Sequence, residues 1–348
     1  MTALWRRDGG WAWAGRMMRR LTLTAALITI AAAQVNAEGR PELSLPLACE
    51  PHKTCFIQSY VDLDAGPGVR DFSCGTATYE KHEGTDFRVL SAEAAKSGVP
   101  VLASADGTVK GVRDGVTDIF AKQGDPAAIK GRECGNGVVV DHGGGWETQY
   151  CHMKQGSVAV SKGQAVKRGE RLGDVGYSGL ADFAHVHLSV RHNDKVIDPF
   201  LPEAVDGACQ RDAKGAGMWM PSAMASFPYK NGEILMSGFA GEPPDHAALE
   251  TDHTRIVPLT PESPALLFYG RFVNLVAGDR VRLVITGPGG TLVEQFANPI
   301  DRNKASFTSY AGKKRKGELW PLGRYEGRVE IVRDGAVIAA SVGTHDMR

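Results

Sequence analysis

The chain has 348 residues, 43% of them apolar, 23% charged and 7% aromatic. It therefore has enough apolar side chains to bury a core, and extensive disorder is excluded. Forty basic residues balance forty acidic ones, but with the five arginines and one aspartate of the first 37 residues set aside, the remainder carries 35 basic against 39 acidic. That slight acidity argues against a general nucleic-acid binder, which works by neutralising phosphates with cations.

Length alone suggests about two domains. At the start, Arg16, Arg19 and Arg20 precede an apolar run from Leu21 to Ala33, and Val35 and Ala37 frame a cut before Glu38. This pattern predicts a secretory signal over 1–37, within which Met17 or Met18 would be a more conventional start, and favours the general secretory route over the twin-arginine route that Arg19-Arg20 suggests. The mature protein is then exported, to the periplasm or beyond. No other stretch approaches the roughly 20 apolar residues that a membrane-spanning helix needs. All six cysteines (Cys49, Cys55, Cys74, Cys134, Cys151 and Cys209) lie past the cut. An even number in an exported chain predicts disulfides. The segments GVVVD and WETQY flank His142-Gly143-Gly144-Gly145 as a hairpin, which brings Cys134 and Cys151 to one end and pairs them; a cysteine zinc site lacks any CxxC.

Residues 38–74 read as a wrapping segment with few clear periods. From Tyr79 to Pro199 short β-type runs alternate with glycine turns, which predicts a mainly β, antiparallel domain over 75–205. A Gly-, Ala- and Ser-rich stretch, 206–225, reads as a linker. Beyond it, ALLFYGRFVNL, DRVRLVITGPGG, TLVEQF, RYEGRVEIVRDG and AVIAASV resemble the strands of a small sandwich over 226–348. Lys313 to Lys316 read as a solvated loop there.

Six of the ten histidines fall between His82 and His192. In HEGTD, His82 and Asp86 share one face of an extended segment, because Gly84, Thr85 and Phe87 disfavour a helix. A zincin helix is disfavoured by the same residues and by Asp86, which stands where its second histidine belongs. Glu83 then points away from both. In FAHVHLSV, His185 and His187 alternate and so face one side, with Val186 and Leu188 packed behind. His152 ends the proposed hairpin. Catalytic zinc takes three protein ligands and leaves a position for water. His82, Asp86 and one histidine of the pair fill that requirement, and two histidines remain for proton transfer and oxyanion stabilisation. His142 reads as a loop residue, His192 as lying opposite His187, and Asp252 to Thr254 have no assigned partner.

Together these motifs resemble the lysostaphin-type, or LytM-type, zinc metallopeptidases of metallopeptidase family twenty-three. The likeness covers roughly Gly75 to Phe200. It rests on HxGxD at His82, Gly84 and Asp86, on Tyr150-x-His152 ending a strand pair, on the glycine-punctuated VSKGQAVKRGERLGDVGYSG, on HxH at His185 and His187, and on Ile197-Asp198-Pro199. Ala184 and Val186 depart from the family's usual Pro and Leu but keep the strand apolar. Cys151 replaces the usual small residue before the catalytic histidine. The resemblance implies His82, Asp86 and His187 as ligands of one zinc ion and His152 and His185 as catalytic histidines. The implied activity is endopeptidase hydrolysis of peptide cross-links in bacterial peptidoglycan, whose stem peptides lie in a groove walled by Tyr177 to Phe183. The alternative is a non-catalytic wall-binding protein or an activator of other wall hydrolases. The C-terminal region is where a protein partner is expected.

Overall fold

The computed structural model describes residues 39–204, 208–210, 217–252 and 255–348. The expected export signal, 1–37, lies outside them. In chain order the elements are β1 (Cys55–Ser59), β2 (Thr85–Val89), α1 (Ala92–Lys96), β3 (Pro100–Leu102), β4 (Gly107–Arg113), α2 (Pro126–Ile129), β5 (Asn136–Gly143), β6 (Trp146–Met153), β7 (Ala165–Val166), β8 (Arg171–Asp174), β9 (His185–His192) and β10 (Lys195–Ile197). Then follow α3 (Pro221–Ser226), β11 (Glu233–Ala240), α4 (His246–Thr251), β12 (Ala265–Leu275), β13 (Arg280–Gly287), β14 (Gly290–Phe296), β15 (Lys304–Lys314), β16 (Gly323–Arg333) and β17 (Ala336–Met347). The chain is mainly β with antiparallel sheets, as its glycine-punctuated runs predict.

The first large sheet has eight strands in the order β1-β2-β9-β6-β5-β4-β7, with β10 on β9. Strand alternation gives it two unlike faces. Phe87 and Val89 of β2, and Val186, Leu188 and Val190 of β9, are buried in the apolar core. Asp86 and Arg88, and His185, His187 and Ser189, leave the other face. The segments 99–112 and 163–175, each with strand-like runs on either side of a glycine turn, do not close on themselves. They interlock instead: β3 pairs β8, and β4 pairs β7.

The hairpin of β5 and β6 closes as the sequence suggests, and Cys134 is bonded to Cys151. Cys49 is bonded to Cys55, and Cys74 to Cys209. In the stretch 206–225, Cys209 is thus tied back to residue 74, and Met218 and Trp219 are buried, with Trp219 bridged to Leu43. From Gly217 onward this is packed structure rather than free connection. Its small-residue composition resembles a linker, whereas its anchoring is carried by a few large side chains.

After α3, a three-stranded sheet β11-β12-β15 packs on a four-stranded sheet β14-β13-β16-β17. Phe268 and Phe272 of β12 meet Val281, Leu283 and Ile285 of β13 and Val329 and Ile331 of β16 in one core, as in a sandwich. Two of these strands, β11 and β15, carry no strong sequence signal. β11 (EILMSGFA) bears apolar residues that do not alternate, β15 (KASFTSYAGKK) has few, of which only Ala311 is buried, and Lys313 and Lys314 end β15 rather than opening a loop.

Candidate metal centre

β2 and β9 place the site. Asp86 stands opposite His187 and Arg88 opposite His185 in their antiparallel register. His82 precedes β2 and reaches the same point. His82 Nε2, Asp86 Oδ1 and His187 Nδ1 lie 2.9 to 3.1 Å from one another. Around a small cation with bonds of about 2.0–2.1 Å, tetrahedral donors would stand about 3.3 Å apart, close to this spacing.

The tautomers are set from behind. His82 Nδ1 donates to the Tyr60 carbonyl at 2.6 Å, leaving Nε2 unprotonated. Ser189 Oγ donates to the Glu83 carbonyl at 2.8 Å, so it accepts from His187 Nε2–H at 3.0 Å. That leaves the His187 Nδ1 lone pair facing Asp86. With both rings neutral, three acceptors converge with no proton between them, an arrangement that a cation satisfies. Gly84 makes the approach possible. A Cβ there would lie 2.5 Å from His187 Nε2 and 2.7 Å from the Leu188 carbonyl.

The charges agree. Burial pushes the Asp86 carboxyl up, but His82 and His185 outweigh it and hold it well below the usual carboxylate range. Burial pulls His82 down, yet the Asp86 charge raises it above an ordinary histidine. Burial lowers His187. This corner favours positive charge, whether carried by a proton or by a metal.

His152 and His185 flank the ligands. His152 has a φ of 62°, a left-handed value uncommon for a residue with a side chain. Its N–H donates to the Cys134 carbonyl at 2.8 Å, so the disulfide-bonded end of the hairpin holds this turn. The ring stands 4.6 Å from His185 and 5.9 Å from His187, centroid to centroid. Nδ1 of His152 donates to Ser178 O and Nδ1 of His185 to Phe183 O, both at 2.8 Å. The Nε2 of His185 lies 3.4 Å from Asp86 Oδ1. Burial, reinforced by His185 and His187, holds His152 well below the histidine range, so it is neutral at neutral pH.

All five histidine and aspartate residues singled out in the sequence thus come together. Residues 80–199 match the model of Peptidase family M23. This stretch is an M23 peptidase domain. Within and around it, the chain is 36% identical over 109 residues to the peptidoglycan DD-endopeptidase ShyA of Vibrio cholerae, covering 31% of this chain and 20% of that protein. It is 32% identical over 184 residues to the cell division protein DipM of Caulobacter vibrioides, covering 53% of this chain and 23% of that one. An uncharacterized metalloprotease of Haemophilus influenzae is 30% identical over 142 residues, 40% of this chain and 25% of the relative. The chain spans about a quarter or less of the length of these relatives. Among solved structures, a putative M23 peptidase from Pseudomonas aeruginosa is 29% identical, with a TM-score of 0.27, covering 51% of this chain and 59% of that one.

His142, His192 and Glu83 take no part in this centre. His142 belongs to β5 rather than to a loop; it is buried, contacts the Asp106 carbonyl at 2.7 Å and Thr148 Oγ1 at 2.8 Å, and burial lowers its pKa. His192 stacks on Trp146. Glu83 is exposed. A groove of about 580 Å³ runs past Asp86 and His185, with Leu180, Asp182 and Phe183 along one side. Its other side comes from α4, β12 and β15, including Arg271 and Ser306. Sequence reading missed these groove residues because nothing local in their segments signals a site.

Proposed function

We propose that this chain is an exported zinc endopeptidase that hydrolyses peptide cross-links of bacterial peptidoglycan, with His82, Asp86 and His187 holding the ion. The observation that carries this reading is the convergence of three metal-donor atoms beside two further histidines, next to a groove that Asp86 and His185 line. Two imidazoles and one carboxylate are a donor set suited to catalytic zinc. The names of relatives such as ShyA support peptidoglycan as the substrate class. No helix among the described residues is long and apolar enough to cross a membrane. Residues 226–348 are then the side open to a protein partner.

When bound, the ion supplies Lewis acidity for an amide carbonyl and for water. The chain's own residues supply the rest. In this reading neutral His152 takes a proton from the attacking water and returns it to the leaving amine. His185, once protonated, stabilises negative charge on the carbonyl oxygen. Gly84, Ser189 and the Tyr60 carbonyl keep the ligand atoms aimed.

The test pairs metal analysis with release of soluble fragments from purified sacculi. Wild type is expected to carry about one zinc ion and to release fragments. His187→Ala should lose the ion, and His152→Ala should keep it while hydrolysis falls at least about a hundredfold. Full hydrolysis by either variant overturns the assignment. A zinc-loaded wild type that releases nothing points to the wall-binding alternative.

A further inference from the structure

The metal-bearing face of β2 carries a second charged residue. Asp86 and Arg88 are two positions apart, so their side chains leave the same face about 7 Å apart along the strand. Arg88 is fully buried, with its guanidinium carbon 4.8 Å from the centre of the Phe183 ring. It donates to Gln58 and, at 3.0 and 3.2 Å, to both carboxylate oxygens of Glu250 on α4. Arg271 of β12 comes from the opposite side. It donates to the Leu249 carbonyl at 3.0 Å and to Glu250 Oε2.

Two guanidiniums therefore share one carboxylate, an excess of one positive charge in a buried cluster. Burial pushes Arg88 down to about 10, and although Glu250 pulls it back up, Arg271 repels it further. Arg271 is 1% exposed, and its Nε is buried with no acceptor. A buried donor left unmade costs free energy, which an incoming acceptor recovers. Arg88, Glu250 and Arg271 line the same groove as Asp86 and His185.

We propose that Arg271, backed by Arg88 and Glu250, is a carboxylate-reading subsite of this groove, supplied to the M23 domain by the C-terminal region. It rests on the peptidase reading above. Arg88 stands two positions from Asp86 on β2, and Arg271 shares Glu250 with it, so a carboxylate met by this pair belongs to a residue near the cleaved amide. A cross-link through diaminopimelate carries such a carboxylate on the residue whose amine is released. A bridge of glycines carries none. Arg271 thus selects the former.

The experiment uses the full-length, zinc-loaded protein and two synthetic cross-linked stem peptides that differ only in whether that diaminopimelate carboxylate is free or amidated. Wild type is expected to favour the free acid by about tenfold or more in kcat/KM, the range for a charged hydrogen bond. In Arg271→Gln the preference should fall to within about twofold at unchanged zinc content, and Arg271→Lys should restore part of it. Equal cleavage of both peptides by wild type overturns the subsite and leaves the peptidase reading standing; this comparison needs no variant to fold. An equal loss on both peptides in Arg271→Gln, with the preference retained, also overturns it. If the zinc-loaded wild type cuts neither peptide, the peptidase reading itself fails.

Discussion

Gly84 shows how much one missing methyl group carries. Its place in HxGxD is explained by the His187 ring and the Leu188 carbonyl, which occupy the space a side chain would need. Gly84→Ala should push His187 off its donor position and weaken metal binding about tenfold or more in a chelator competition, with a smaller effect on the melting temperature. Asp198 makes a different point. Its Oδ1 accepts the Phe200 N–H at 2.7 Å, whereas Oδ2 is buried without a partner. Burial raises the carboxyl from 3.8 to about 7. A folded-state pKa raised in this way means that stability is full below about pH 4, falls as the unfolded chain ionises first, and levels off above about pH 7. The difference between wild type and Asp198→Asn in urea unfolding should therefore shift by a few kcal/mol between about pH 4 and pH 7 and be flat on either side. A flat difference throughout would show that Asp198 ionises freely.

Strands are what turn the motif letters into a site. Period-two alternation on β2 and β9 is readable in TDFRV and HVHLSV, and it settles which side chains face the metal and which the core. β6 adds a constraint that its sequence shows less openly. Tyr150, two residues before His152, buries its hydroxyl against the Ser104 N–H at 2.7 Å and Thr148 Oγ1 at 3.1 Å. This ties β6 to the connection between β3 and β4. Tyr150→Phe should leave the Ser104 N–H unpaired and cost about 1–3 kcal/mol in urea unfolding, with zinc content intact. The resemblance places a tyrosine there; only the packed strand explains its hydroxyl.

Across the whole molecule, distant segments are fastened by a few strong contacts. The Cys74–Cys209 bond joins the segments that flank the M23 stretch, across a separation of 135 residues. On a chain-entropy account its loss should cost about 3–5 kcal/mol, read as a lower melting temperature for Cys74→Ser/Cys209→Ser. The C-terminal sheets are joined to the first sheet by the Arg88–Glu250–Arg271 cluster and by Asn274 Nδ2 donating to the Gln58 carbonyl at 2.9 Å, while Tyr229, between α3 and β11, donates to Asp71, between β1 and β2, at 2.7 Å. That fastening makes them a wall of the groove.

Local chemistry was legible without coordinates. The faces of β2 and β9, the hairpin with its disulfide, and the β character of both halves follow from nearest-neighbour geometry, because a strand's period is a local property; which of the histidines join Asp86 as ligands came only from the resemblance to the LytM-type family. Two strands with weak alternation, β11 and β15, and the anchoring of residues 217–225 did not follow, because burial there depends on partners far along the chain. Tertiary packing alone brought His82 to His187 across 105 residues, aimed each imidazole by a carbonyl or hydroxyl behind it, and set Arg271 into the groove from outside the M23 stretch. Such meetings are decided by how sheets stack, and no short window of sequence contains both partners.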